Sequence, residues 1–210
     1  MKSTFCILAL IFSTFCFAQK EFQPKNSKIN ETVEGDLDGD KIPEKVIVYD
    51  IPTNGDSGNA REIQILKKVN NKWTVLEKSR KAILGSKDGG MMGDPYQGTE
   101  IKNGILEISH YGGSSWKWGG TDKYRFQNGH FELIGFFSES GKPEEYWTTV
   151  DFNLSTGKII YEKEVVNKKE YGNSKKEIFI KKGLKINLQN RNQEKRREIL
   201  LPKTKEAVYL

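Results

Sequence analysis

The sequence predicts an all-β protein, a twisted antiparallel sheet or compact β-sandwich built from successive hairpins. Short runs rich in β-branched and aromatic residues alternate apolar with polar positions, as half-buried strands do. Asn-Gly and other glycine-containing turn signals punctuate those runs at short intervals. No segment repeats apolar residues at helical spacing for any length.

Taken in order, the first strand is Lys45–Tyr49, whose KVIVY is β-branched throughout its centre. A polar connection, Ile51–Ala60, leads to Arg61–Val69, and Asn70-Asn71 turns that strand into Trp73–Glu77. Ser86–Gly98 is irregular and glycine-rich, with Asp94 opening a turn into Pro95. Glu100–Lys102 and Ile105–Tyr111 form a hairpin about Asn103-Gly104, and Lys123–Gln127 and His130–Phe136 form another about Asn128-Gly129. Tyr146–Leu154 pairs with Lys158–Glu164 about Ser155-Thr156-Gly157, and Glu177–Ile180 with Leu184–Leu188 about Lys182-Gly183. The last twenty residues suit a short helix before Pro202, a strand or a frayed tail.

Residues 1–18, MKSTFCILALIFSTFCFA, have the form of a secretory signal peptide. Lys2 supplies the positive end, Phe5–Phe12 the apolar core, and Cys16-Phe17-Ala18 a small-x-small cleavage site. A lipid on Cys16 would want a small residue before it, where Phe15 stands. The apolar stretch is shorter than the roughly 20 residues a membrane helix needs, so no transmembrane segment is expected after cleavage. Cys6 and Cys16 are the only cysteines, so the exported chain would have neither disulfides nor thiolate chemistry. The expected location is secreted or periplasmic.

Of the 210 residues, 36% are hydrophobic, enough for a core, and 30% are charged. The organisation expected is a β-rich domain over 19–164 and a basic hairpin and tail over 165–210 packed on it. The net charge of +6 is concentrated in that C-terminal segment, with Arg191, Lys195, Arg196 and Arg197 its densest cluster. Export argues against nucleic acid as the partner; an anionic envelope, an envelope protein or a glycan fits better.

The most specific stretch is Gly35–Asp50, GDLDGDKIPEKVIVYD. Asp36, Asp38, Asp40 and Glu44 stand at positions one, three, five and nine of a loop (36–44) that runs into a strand. Alternate residues of a tight loop can aim their carboxylates at one point, which suits the oxygen shell of Ca²⁺. An EF-hand is excluded, because its twelfth position needs a bidentate Glu and here is Ile47. A plain acidic turn explains the same residues without an ion. The loop resembles the DxDxDGxxD calcium loop of FG-GAP and VCBS-type repeats, found in integrin α-subunit propellers and many secreted bacterial proteins. That resemblance covers this loop and the strand after it. It implies metal ligands at Asp36, Asp38, Asp40, Ile42 through its carbonyl, and Glu44. Lys41 replaces the glycine usual at position six, and Glu44 the usual aspartate at nine. A weak site, on the order of 10⁻⁴–10⁻³ M, is the expectation.

His110-Tyr111-Gly112-Gly113-Ser114-Ser115-Trp116-Lys117-Trp118-Gly119-Gly120 is the second unusual stretch. Exposed rings beside small polar residues can stack on sugars, so His110, Tyr111, Trp116 and Trp118 are candidate ligand-binding residues. Two tryptophans two apart on a strand also suit the core. Ser114, His110 and Asp94 are the residue types of a hydrolase triad, but no GxSxG elbow presents a serine, and no catalytic residue is assigned. The sequence therefore implies an exported, calcium-binding binding or structural module, with a secreted hydrolase as the alternative.

Overall fold

The computed structural model describes residues 21–210; the expected signal segment, with both cysteines, lies outside them. The protein is all-β: two antiparallel meanders, packed face to face, neither closing into a barrel. The smaller sheet runs β1 (Lys28–Gly35), β2 (Glu44–Pro52), β3 (Asn59–Val69) and β4 (Lys72–Ser79) in chain order. The larger follows with β5 (Tyr96–Lys102), β6 (Ile105–Gly113), β7 (Lys117–Gln127), β8 (His130–Lys142), β9 (Tyr146–Asn153), β10 (Lys158–Val165) and β11 (Lys175–Ile180). A four-residue helix α1, Lys168–Tyr171, links its last two strands. A closing hairpin pairs β12 (Glu198–Leu200) with β13 (Ala207–Tyr209). Among the described residues no helix is long and apolar enough to cross a membrane.

The turns form where the sequence places them. Asn103-Gly104 and Asn128-Gly129 have positive φ at both residues, the backbone that matches right-twisted strands. Asn70 and Asn71 do likewise without glycine, using the tolerance of asparagine for that region. Several strands extend beyond their sequence-based bounds. Trp118, Gly119 and Gly120 lie in ordinary register inside β7, and β8 continues to Lys142.

One strand has no sequence signal and one expectation is corrected. Strand β1 carries little apolar alternation, because KINETVEG is an exposed edge strand. Leu184–Leu188 does not return along β11, whose partner is β10. It lies instead against the start of β8: Leu133 N donates to Ile186 O at 2.8 Å and Leu188 N to Phe131 O at 2.9 Å. The reason is length. β9 pairs with β8 only from Gly135 onward, so Phe131–Leu133 present free backbone groups that Ile186–Leu188 satisfies.

One core joins both sheets. Val46, Val48, Ile63 and Ile65 meet Leu106, Ile108, Tyr124, Phe131, Phe136 and Phe152. Ile186, Leu188, Ile199, Leu201, Val208 and Leu210 belong to the same cluster, so the basic C-terminal segment is part of this body. Polar ties reinforce the packing. Glu31 of β1 accepts from the Thr99 amide of β5 at 2.9 Å, and Glu77 of β4 from the Phe131 amide of β8 at 2.8 Å.

The deepest tie fixes the C-terminal segment. Asp122 of β7 accepts from Arg191 Nε at 2.7 Å and Nη2 at 3.1 Å, from Gln193 Nε2 at 2.9 Å and from the Tyr124 hydroxyl at 3.0 Å. Both ions are almost fully buried. Removing one partner strands the other charge in the interior, so Arg191→Ala should cost about 3–5 kcal/mol in urea denaturation. Arg191→Met combined with Asp122→Leu should cost much less, because no ion is then left unpaired.

Candidate functional site

The acidic loop sits at the corner where the two sheets approach. Gly35 abuts Ile101 of β5, and a Cβ added there would come within 2.7 Å of its Cγ2. One carboxylate oxygen each from Asp36, Asp38 and Asp40 falls within 4.8 Å of the others. Backbone amides shape the cluster. Asp36 accepts from Gly39 N at 2.7 Å and Lys41 N at 3.0 Å, and Asp40 from Ile42 N at 2.8 Å. Gly39 (φ 86°) and Lys41 (φ 67°) both take the left-handed conformation. Lys41 therefore stands where a glycine would be unstrained, at a cost of about 1 kcal/mol.

Two further groups complete the electrostatics. Lys67, reaching over from β3, bonds the Asp38 carboxylate and lies 2.8 Å from Asp40 Oδ2. These hydrogen bonds, Asp38's foremost, hold its ammonium above the usual lysine range, and the same contact holds Asp40 below the usual carboxylate range. Glu44 is fully buried at the start of β2. Its Oε2 accepts the Leu37 amide at 2.8 Å, whereas Oε1 has no hydrogen-bond partner among the described residues. Burial pushes the Glu44 carboxyl up, and the charges of Asp38 and Asp40 add to that. Ile42 is exposed. Sequence reading had no signal for Lys67, which is distant in the chain and looks like any surface lysine of a strand.

The aromatic stretch divides into separate environments. His110 is buried in β6, its Nε2 accepting the Leu84 amide at 3.3 Å. Tyr111, half-buried, donates its amide to Pro95 O at 2.8 Å. Trp116 lies outside the strands, in the β6–β7 turn, and is 40% exposed. Trp118 is half-buried in β7, with the Arg196 guanidinium 5.6 Å over its ring. Gly112 is required beneath it, since a Cβ there would come within 2.7 Å of the indole. The triad residue types are engaged elsewhere. Asp94 is bound to Arg61 through both oxygens and accepts the Tyr96 amide at 3.0 Å. Of the basic cluster, Arg191 is buried against Asp122, while Lys195, Arg196 and Arg197 are exposed.

Compared with family models, curated proteins and solved structures, the chain finds no match in any of the three.

His110 gives the site region a pH dependence. Desolvation lowers its pKa to about 4; Asp122 opposes this, and Arg196, Arg191 and Arg61 add to it. An unfolded imidazole titrates near 6.5, so the folded state binds the proton less readily. The stability contributed is complete above about pH 6.5 and is lost as pH falls through about 4. The full loss is about 3 kcal/mol. His110→Gln keeps an acceptor for the Leu84 amide without a titrating group. In urea titrations at pH 7 and pH 4.5, the variant should lose less stability on acidification than the wild type.

Proposed function

We propose that the chain is an exported calcium-binding β-rich module of a bacterial envelope or exterior, acting in binding or structure and not in catalysis. Asp36, Asp38, Asp40, the Ile42 carbonyl and Glu44 hold the ion. The observation that carries this reading is the convergence of one carboxylate oxygen each from Asp36, Asp38 and Asp40 within 4.8 Å of one another. Glu44 is outside that group, but its buried Oε1 has no partner among the described residues and feels the charge of Asp38 and Asp40. Leaving such an atom unsatisfied is costly, and a divalent ion bound by the adjoining carboxylates supplies its missing partner. The all-oxygen donor set suits a hard cation. Positive φ at Lys41 agrees with the turn-permissive sixth position of the FG-GAP/VCBS-type loop. The bound ion orders the loop entering β2 and displaces the Lys67 ammonium from Asp38 and Asp40. The competing reading, a hydrolase using His110 and Ser114, has no comparable support, since His110 and Asp94 are bonded to Leu84 and Arg61.

Calcium binding only to the folded state raises the melting temperature. At ten times the dissociation constant the gain is about 1.4 kcal/mol, a shift of a few degrees. The paired change Asp36→Ala and Asp38→Ala should abolish the shift. Identical melting curves in calcium and in chelator for the wild type would reject the metal site.

Two single changes read the loop's chemistry. Lys41→Gly relieves the left-handed lysine, and Lys67→Met removes a competing cation, so titration calorimetry should report tighter calcium binding for each. Glu44→Gln should raise the metal-free melting temperature, because it removes a charge that burial disfavours, while weakening the calcium response. A glutamine that leaves both unchanged would mean that Glu44 faces no ion.

A further inference from the structure

We propose that the groove between the inner face of the larger sheet and the C-terminal hairpin is a binding site for a segment of a neutral oligosaccharide. The proposal rests on the binding-module part of the reading above and is independent of its calcium part. The groove encloses about 290 Å³, close to the lower end of the roughly 300–1,000 Å³ of small-molecule sites.

The floor follows from strand register. Ser140 pairs with Trp118 and Thr148, and Thr148 with Lys163; two residues along, Ser138 pairs with Gly120 and Val150, and Val150 with Tyr161. Residues two apart on a strand share a face, so Ser138, Ser140 and Thr148 present their hydroxyls on one surface. Phe136, Phe152 and Ile159 continue the same face as core. Farther along it, hydroxyls replace the apolar residues and an opening takes the place of core.

The rim carries two large exposed rings. Trp116 lines one part of the groove at 40% exposure and Tyr209 another at 53%. Indole and phenol faces covering a sugar ring remove apolar area from water while their polar edges remain satisfied. The wall bearing Tyr209 is fixed in place. Arg197 and Leu210 exchange backbone hydrogen bonds at 2.6 and 2.9 Å, and Leu210 is buried in the core. The site is thus pre-formed.

Charge decides between ligand classes. Glu206 is paired with Lys175 at 2.6 Å and approached by Lys163 at 3.9 Å. Lys163 also lies 4.9 Å over the Tyr146 ring, and Arg196 covers Trp118. Glu139, between Ser138 and Ser140, turns to the other face of the sheet beside Tyr111. Lys163 is compensated by Glu206 and Arg196 lies against the Trp118 ring, so the groove presents neither a row of free cations for a polyanion nor a row of anions for a polycation. These side chains offer acceptors and donors together, which a polyhydroxylated chain matches with every hydroxyl. The hydroxylated, charged floor is too polar for an acyl chain.

The test probes the purified protein with an array of neutral, uronic and sulfated oligosaccharides, followed by tryptophan-fluorescence and calorimetric titration of the strongest neutral binder. Trp116→Ala and Tyr209→Ala should each weaken binding at least tenfold with unchanged melting temperature. Met91→Ala, on an exposed side chain outside the groove, should leave it unchanged. Binding confined to acidic glycans, no glycan binding, or full affinity in both ring variants would overturn the proposal. Repeating the titration in chelator separates the two readings: glycan binding that persists without a calcium effect supports the groove alone, and a calcium-dependent melting shift without glycan binding overturns the groove alone.

Discussion

The buried contact of Asp122 with Arg191 is the interaction on which the second half of the molecule depends. An ion pair so deep is costly to form, and its attraction compensates only when geometry is good and the remaining lone pairs are bonded. Here the carboxylate accepts from both Arg191 and Gln193 and from the Tyr124 hydroxyl. This network fixes where the chain crosses the larger sheet after Leu188. Everything beyond it, Arg196 over Trp118 and the hairpin ending at Leu210, takes its position from that crossing. A hydrophobic substitute could fill the same volume, but it would not dictate one register for the crossing segment.

The parts of the fold legible in the sequence are those written in local chemistry. Asn-Gly dipeptides fix the β5–β6 and β7–β8 turns because the backbone there needs positive φ twice in succession. Pairing between distant segments is a different matter. The alternation in Leu184–Leu188 announces an extended segment, yet its partner was decided by the unequal lengths of β8 and β9, which no local signal carries. Edge strand β1 carries no sequence signal for a related reason: an exposed strand needs no apolar face. At the acidic loop, the carboxylates were visible in the sequence at alternate positions. Lys67 was not, because its role comes from the β2–β3 register.

Asp36, Asp38, Asp40 and Glu44 concentrate four carboxyl groups at a corner that also has to hold two sheets together. Without compensation their repulsion would open the loop, and backbone amides from Gly39, Lys41 and Ile42 offset only part of it. Lys67 supplies one positive charge to the outer carboxylates but is not bonded to Glu44. The inner oxygen is left as the least satisfied atom of the corner. Glu77 Oε1 is likewise buried without a partner among the described residues but has no such carboxylate group around it, so the orphan oxygen of Glu44 gains its meaning only beside Asp36, Asp38 and Asp40.

The two regions also differ in what the fold requires of them. β8 is 13 residues long, and its inner face contributes Phe131, Leu133 and Phe136 to the core before changing to Ser138 and Ser140. Nothing in strand propensity favours that change, since serine packs poorly and β-branched residues would extend the core. Trp116 and Tyr209 repeat the pattern, large rings left exposed at the edge of that opening. Single exposed aromatics are unremarkable on a protein surface; rings that line one opening above a hydroxylated strand face form a surface whose composition stability alone does not explain.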